Sequence, residues 1–157
     1  MKFDLGFSSR TVADYPLARR IDLVKMAESL GFACLWHSNE KFGRDMVANM
    51  TLTATRTQAI RIGAAVADPY SVHPALAASA IATVDEISGG RVLVAMGAGG
   101  SGFPAMKITR VKPAMAIREA IEIMRGMWRG ETVTLKGKVI GLEGGRLGFS
   151  ARPDIPI

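Results

Sequence analysis

A single spacing recurs along this chain. Short apolar runs start at Phe3, Phe32, Arg61 and Arg91, at intervals of 29, 29 and 30 residues. They read FDLGF, FACLW, RIGAAV and RVLVAM, short and apolar enough to be buried strands. A helical pattern follows each run. Leu17, Ile21, Val24 and Ala27 fall on one helical face behind Pro16, which is placed to open the helix. The second pattern, roughly 45–57, is weaker and rich in threonine. In the third, Ala77, Ala80, Ile81, Val84 and Ile87 align between an opening His73-Pro74 and a closing Gly89-Gly90. In the fourth, Ile117, Ala120, Ile121, Met124 and Trp128 form the stripe between Pro113 and Gly130. The methionines of these helices read as core packing.

Four strand–helix units of about 30 residues imply parallel strands joined by right-handed crossovers. Two α/β architectures satisfy that pattern: a doubly wound open sheet, or part of a (β/α)8 TIM barrel. A whole barrel takes about 250 residues, and this chain of 157 residues has four units by residue 130. The alternating, glycine-punctuated stretch at about 131–149 reads as a β-hairpin insertion. Ile155 and Ile157 then look like the opening of a fifth strand. The expectation is one partial domain over 1–157, the first half of a larger fold.

Composition removes several function classes. Charged residues make up 22% and hydrophobic residues 48%, which excludes disorder as the main state. No apolar run approaches the roughly 20 residues that span a bilayer, and the first residues lack the apolar stretch of a signal peptide. No membrane partner and a cytoplasmic location are therefore expected. The single cysteine, Cys34, forms no internal disulfide and no cysteine cage, and lies in an apolar run as a packing residue. Two histidines 36 residues apart make no metal site. The net charge of +6 is concentrated late: 107–152 holds 10 basic and 4 acidic residues, against 10 and 9 in 1–106. Few aromatics interleave with that excess and no nucleic-acid motif accompanies it, so it reads as a solvated helix face and hairpin, with no nucleic-acid partner. H-E-x-x-H, the P-loop lysine and G-x-S-x-G are all missing.

Gly97-Ala98-Gly99-Gly100-Ser101-Gly102 formally matches G-x-G-x-x-G after a strand. A dinucleotide fingerprint needs its last glycine against a helix that faces the pyrophosphate. Here Phe103-Pro104 intervenes and the next helix begins near Pro113. Two readings stand: a permissive strand-to-helix turn, or a loop that lets a flat cofactor approach the carboxyl end of the strand.

Several segments resemble a known family. Ile60 to Pro74 (IRIGAAVADPYSVHP) and Ala78 to Gly99, with its V-D-E-I-S-G-G-R core at Val84 to Arg91, are similar to the luciferase-like flavin and deazaflavin oxidoreductases. Glu119-Ala120-Ile121-Glu122, Trp128 to Val133 and Arg152 to Ile157 match in the same order. The nearest branch is the methylenetetrahydromethanopterin reductase-like proteins that use coenzyme F420. The resemblance covers nearly the whole chain and about the first half of a family member.

The resemblance implies a TIM barrel of the bacterial luciferase-like type, with its cofactor at the carboxyl ends of the strands. It implies an oxidoreductase that transfers a hydride from reduced coenzyme F420 to a small or pterin-type substrate, with an FMN-dependent monooxygenase as the alternative. It also places a cis peptide in a bulge at the end of the third strand, here Ala65-Val66, backing the cofactor ring. Gly97 and Gly99 would admit the ring, and Phe7 and Ser8 would line the pocket. Many relatives carry Asp-His where this chain has Asn39-Glu40. That departure argues against a histidine-based mechanism and leaves Glu40 as an acid/base candidate with Asn39 beside it, or as a loop carboxylate paired with Lys41 or Arg44. His37 faces away from Trp36 and Ser38 and reads as a packing histidine; His73 reads as a helix cap. A third class of function is a non-catalytic half-barrel or truncated product. Open sheet edges favour a homodimer or a complementary C-terminal half as partner.

Overall fold

A computed structural model describes the backbone of Asp4–Phe7 and residues 15–157 in full. The strands are β1 (Asp4–Phe7), β2 (Cys34–Ser38), β3 (Arg61–Ala67) and β4 (Val92–Met96). The helices are α1 (Leu17–Ser29), α2 (Met46–Arg56), α3 (Pro74–Ser88) and α4 (Pro113–Trp128). A two-stranded antiparallel hairpin, β5 (Val133–Leu135) and β6 (Leu142–Gly145), follows. All four repeat units therefore form at the expected places.

Strand order decides between the two architectures. The sheet runs β1-β2-β3-β4, all parallel. A doubly wound sheet reverses direction at a switch point; a barrel proceeds in sequence order, as here. Beyond β4 the backbone N–H of Val94 donates to Pro156 O at 2.8 Å, and Ile155 is buried in the core. The end of the chain thus takes the fifth-strand position that its sequence suggests.

One face of the sheet carries the helices. Leu35, Ile62, Ala64, Val92 and Val94 point into that layer and are buried. They meet Met46 and Met50 of α2, Ile81 and Val84 of α3, and Ile123, Met124 and Trp128 of α4, except Leu35, which packs with Val24 and Ala27 of α1. The Trp128 indole N–H donates to Ala78 O at 3.0 Å, which satisfies the polar atom of a closed-off side chain.

The helices keep much of the expected stripes, since Val24 and Ala27 of α1, Ile81 and Val84 of α3, and Ala120, Met124 and Trp128 of α4 are buried, and depart from them at particular residues. The first helix buries Arg20, Val24 and Ala27 and exposes Leu17; the third buries Ala78, Ala82, Asp85 and Ser88 and exposes Ile87. The fourth buries Ala116, Glu119 and Ile123, with Ile117 half-buried. Apolar residues occupy more than one face of each helix, so periodicity leaves the rotation loose. Polar residues with fixed partners set it.

Those partners sit at the amino ends of the strands. Asp85 accepts from Val92 N–H at 3.0 Å and from Arg152 Nε and Nη2 at 2.9 and 2.8 Å. Arg91 reaches the carbonyls of Ala54, Thr57, Ile60 and Ser88 and the Thr57 hydroxyl, all within 3.1 Å. Glu28 Oε1 accepts three consecutive backbone N–H groups, from Gln58, Ala59 and Ile60. The D-E-I-S-G-G-R run is therefore a structural clamp that fixes where α2 ends and β3 begins. On α4, Glu119 likewise holds the hairpin through the N–H groups of Lys138, Val139 and Ile140.

Candidate active site

The carboxyl ends of β2, β3 and β4 form the opposite rim. β3 carries a bulge there: its register against β4 shifts between Ala65 and Ala67, and the Ala65-Val66 peptide is cis. The expected bulge and cis bond thus both occur, at the expected residues.

The bulge is held from two sides. Asn39 N–H donates to Ala65 O at 3.2 Å, and Gly97 N–H donates to Ala67 O at 3.0 Å. The Asn39 side-chain amide donates to Val66 O and to Asp68 Oδ2, both at 3.3 Å. Asp68 is the centre of this network. Its Oδ2 also accepts from Lys41 Nζ at 2.6 Å and Ser71 Oγ at 2.7 Å, and its Oδ1 from the backbone N–H groups of Tyr70 and Ser71. Burial alone would push this carboxyl up; hydrogen bonds from Lys41 and Ser71 outweigh it and hold the group below the ordinary aspartate range.

Lys41, which the sequence offered as a partner for Glu40, is thus committed to Asp68. Glu40 turns instead to the β4 loop, where its Oε2 accepts from Ser101 Oγ at 2.5 Å. This bond joins the loops after β2 and β4 across the cleft mouth.

The two glycines admit protein before they admit any ligand. A Cβ at Gly97 would come within 2.9 Å of Val66 Cγ2. At Gly99, φ is +63°, and a Cβ would meet Phe103 Cζ at 2.7 Å and Asp68 at 3.0 Å. Glycine is required at both positions for the β4 loop to close on the bulge. Arg110 Nη1 fixes that loop further by donating to Gly99 O at 3.1 Å.

Together these loops enclose a cleft of about 330 Å³, open to solvent, with Ser38, Asn39, Glu40, Ala65, Val66 and Ser101 among its lining residues. That size suits a small-molecule site. Small side chains at Ala65, Ala98, Gly99 and Gly100 leave room for a flat ring against the bulge, and Ser38, Asn39, Glu40 and Ser101 supply polar atoms at its edge. The residues present therefore fit a flavin or deazaflavin. Among the described residues no group of His, Cys, Asp and Glu could hold a metal ion.

The remaining expectations are located as follows. Asn39, Glu40, Ala65, Val66 and Gly99 line the cleft, and Gly97 packs behind it. Phe7 ends β1 in register with His37, at the same end of the sheet; Ser8 lies outside the described residues. His37 points to the helix layer, buried, with Nε2 3.0 Å from Thr53 Oγ1. Thr53 gives its own proton to Asn49 O, so Nε2–H is the donor to it. Burial first, and Arg20 second, lower the His37 pKa to about 4, so the ring is neutral at pH 7. His73 Nδ1 accepts from Ala75 N–H and caps α3, and its Nε2 bonds Gly141 O of the hairpin. Sequence reasoning missed Asp68 and Ser71, and gave Lys41 and Ser101 other places than the ones they take. A signal existed for the first: Asp-Pro-Tyr-Ser is an Asx-turn sequence.

A parallel sheet in sequence order, helices on one face and a cleft at the carboxyl ends define a partial TIM barrel with a bulged third strand. The chain belongs to the luciferase-like monooxygenase family, whose sequence profile matches residues 3–157. It is similar to the 5,10-methylenetetrahydromethanopterin reductase of Archaeoglobus fulgidus, with 38% identity over 150 residues, covering 95% of this chain and 44% of that protein. The reductase of the same name from Methanolobus tindarius is 34% identical over 154 residues, covering 98% and 47%. Among solved structures, the coenzyme F420-dependent tetrahydromethanopterin reductase of Methanopyrus kandleri superposes with a TM-score of 0.86 at 28% identity, covering 96% of this chain and 47% of that one. The chain spans about half the length of the curated relatives it matches.

Proposed function

We propose that the cleft belongs to an oxidoreductase that moves a hydride from reduced coenzyme F420 to a pterin-type one-carbon carrier. The observation that carries this reading is the bulged end of β3, facing a glycine-lined β4 loop, in a chain 38% identical to such a reductase over 95% of its length. When bound, the deazaflavin supplies the hydride chemistry. Ala65, Val66 and Gly99 would hold its ring, and Ser38 would meet its polar edge. Phe7 and Ser8 remain pocket residues in this proposal.

The protein's task is positioning and water exclusion. Asn39 is read as a positioning residue, because its amide is engaged by Val66 O and Asp68. Glu40, hydrogen-bonded to Ser101 at the mouth, is the group to hold or deliver a proton at Oε2. The sheet carries helices on one face only, which supports completion of the barrel over the other face by a complementary half or by a second copy. Among the described residues no helix is long and apolar enough to cross a membrane; a cytoplasmic setting is part of the proposal.

The test is an anaerobic assay of the complete protein with reduced F420 and 5,10-methylenetetrahydromethanopterin, followed at the absorption band of oxidised deazaflavin. Growth of that band requiring both reactants is expected. No growth, with oxygen uptake on reduced FMN instead, would replace the reading by an FMN-dependent monooxygenase. Neither activity would leave a non-catalytic barrel component.

A further inference from the structure

The loop between β2 and α2 holds an aromatic ring in an unusual place. Gly43 N–H donates to Glu40 O at 3.2 Å, closing a four-residue turn. Its third residue is Phe42, with φ of +64°. That seat favours glycine or asparagine, because a Cβ crowds the backbone there. Burial of the ring does not compensate: Phe42 is 78% exposed, the highest value among the exposed large hydrophobics of the described residues. A large residue in a left-handed seat, with its ring left in water, points to a role outside the fold itself.

Its surroundings say where that role is exercised. Phe42 follows Glu40 and Lys41, both in the cleft wall. A Cβ built on Gly102, which follows the cleft residue Ser101, would meet Lys41 Cβ at 2.6 Å and Phe42 Cε2 at 3.1 Å. The ring edge therefore rests against the β4 loop at the mouth, next to the Glu40–Ser101 bond, and most of the ring surface faces outward.

We infer that Phe42 is a substrate-binding residue, a platform at the cleft mouth on which a planar fused heteroaromatic substrate of the pterin class stacks. The inference rests on the function proposed above. Stacking desolvates a ring that is otherwise in water and orients the substrate over the cleft.

The test uses the complete protein with Phe42→Gly and Phe42→Tyr. Glycine takes the left-handed seat freely, so the Phe42→Gly melting temperature is expected to match or exceed that of the wild type. Its KM for methylenetetrahydromethanopterin is expected to rise about ten-fold, the larger share of the change falling on KM. Phe42→Tyr keeps the platform and should hold KM near the wild-type value. Deazaflavin affinity, read by fluorescence quenching, should be the same in all three. An unchanged KM in Phe42→Gly overturns the inference while leaving the proposed function intact. So does a changed assembly mass in light scattering with KM unaltered, which would assign the ring to a protein contact. A wild type that neither quenches deazaflavin fluorescence nor reduces the pterin removes the proposed function and the inference together.

Discussion

Lys41 Nζ stands 2.6 Å from Asp68 Oδ2, the two side chains 9% and 1% exposed. A charge pair so enclosed is fragile to the loss of one partner, since the other is left buried and uncompensated. Asp68→Asn is expected to cost about 3–5 kcal/mol of stability, measured by urea unfolding. Because the native carboxyl titrates below its ordinary value of 3.8, the wild type gains stability from it above that pH. The gain is lost as pH falls through the lower native value. Asp68→Asn should lack this acid limb.

His37 gives a second, separate pH window. Its pKa falls from 6.5 to about 4 on folding, so the unfolded chain binds the proton more readily between those values. Stability contributed by the neutral ring is complete above 6.5 and drains away toward pH 4, by roughly 3 kcal/mol. His37→Gln should flatten the urea-midpoint profile between pH 6.5 and 4. A profile as steep as that of the wild type would show that another group carries the effect.

Gly63 sits directly under Trp36, its cross-strand partner. A Cβ there would lie 2.2 Å from Trp36 Cε3. Gly63→Ala is expected to destabilise by about 1–3 kcal/mol through overpacking. Combined with Trp36→Leu, the penalty should be smaller than the two single changes added, a coupling that a double-mutant cycle reads out.

Glu40→Gln keeps the hydrogen-bonding shape and removes the titrating group. If the carboxyl moves a proton, kcat in the anaerobic assay should drop about 10²–10⁴-fold with the melting temperature nearly unchanged. Ser101→Ala, which removes only the partner, should cost less. Full turnover in Glu40→Gln would return this residue to a role in bracing the loops.

The repeat made the strand–helix units legible, since a 30-residue period of buried runs has few other meanings. The bulge at Ala65-Val66 was reached through resemblance, and nothing in Ala-Ala-Val itself demands it. Helix rotation was legible in part: Ile81 and Val84 of α3 are buried as the stripe requires, whereas Ile87 is exposed and Asp85 is buried against Val92 and Arg152, contacts up to 67 residues apart in sequence. Asp68 was missed for the same reason. Its partners Asn39 and Lys41 lie 29 and 27 residues upstream, and only the parallel sheet brings the two loops together. The glycines of the β4 loop were singled out for a cofactor's approach, and what occupies their missing Cβ space is the side chains of Val66, Phe103 and Asp68.

The clamp built from Glu28, Asp85, Arg91 and Arg152 lies at one end of the strands, and the cleft lies at the other. The amino-end hydrogen bonds and the cleft therefore occupy separate ends of each unit, and the cleft end is braced by its own network around Asp68. Positions in the 39–44 and 97–112 loops other than Asn39, Lys41, Gly97, Gly99 and Gly102 can take substitutions without touching either the amino-end hydrogen bonds or the Asp68 network. On the function proposed above, a change of ligand would begin at those loop positions, and an engineer or a mutating lineage can attempt it while the strands and helices stay as they are.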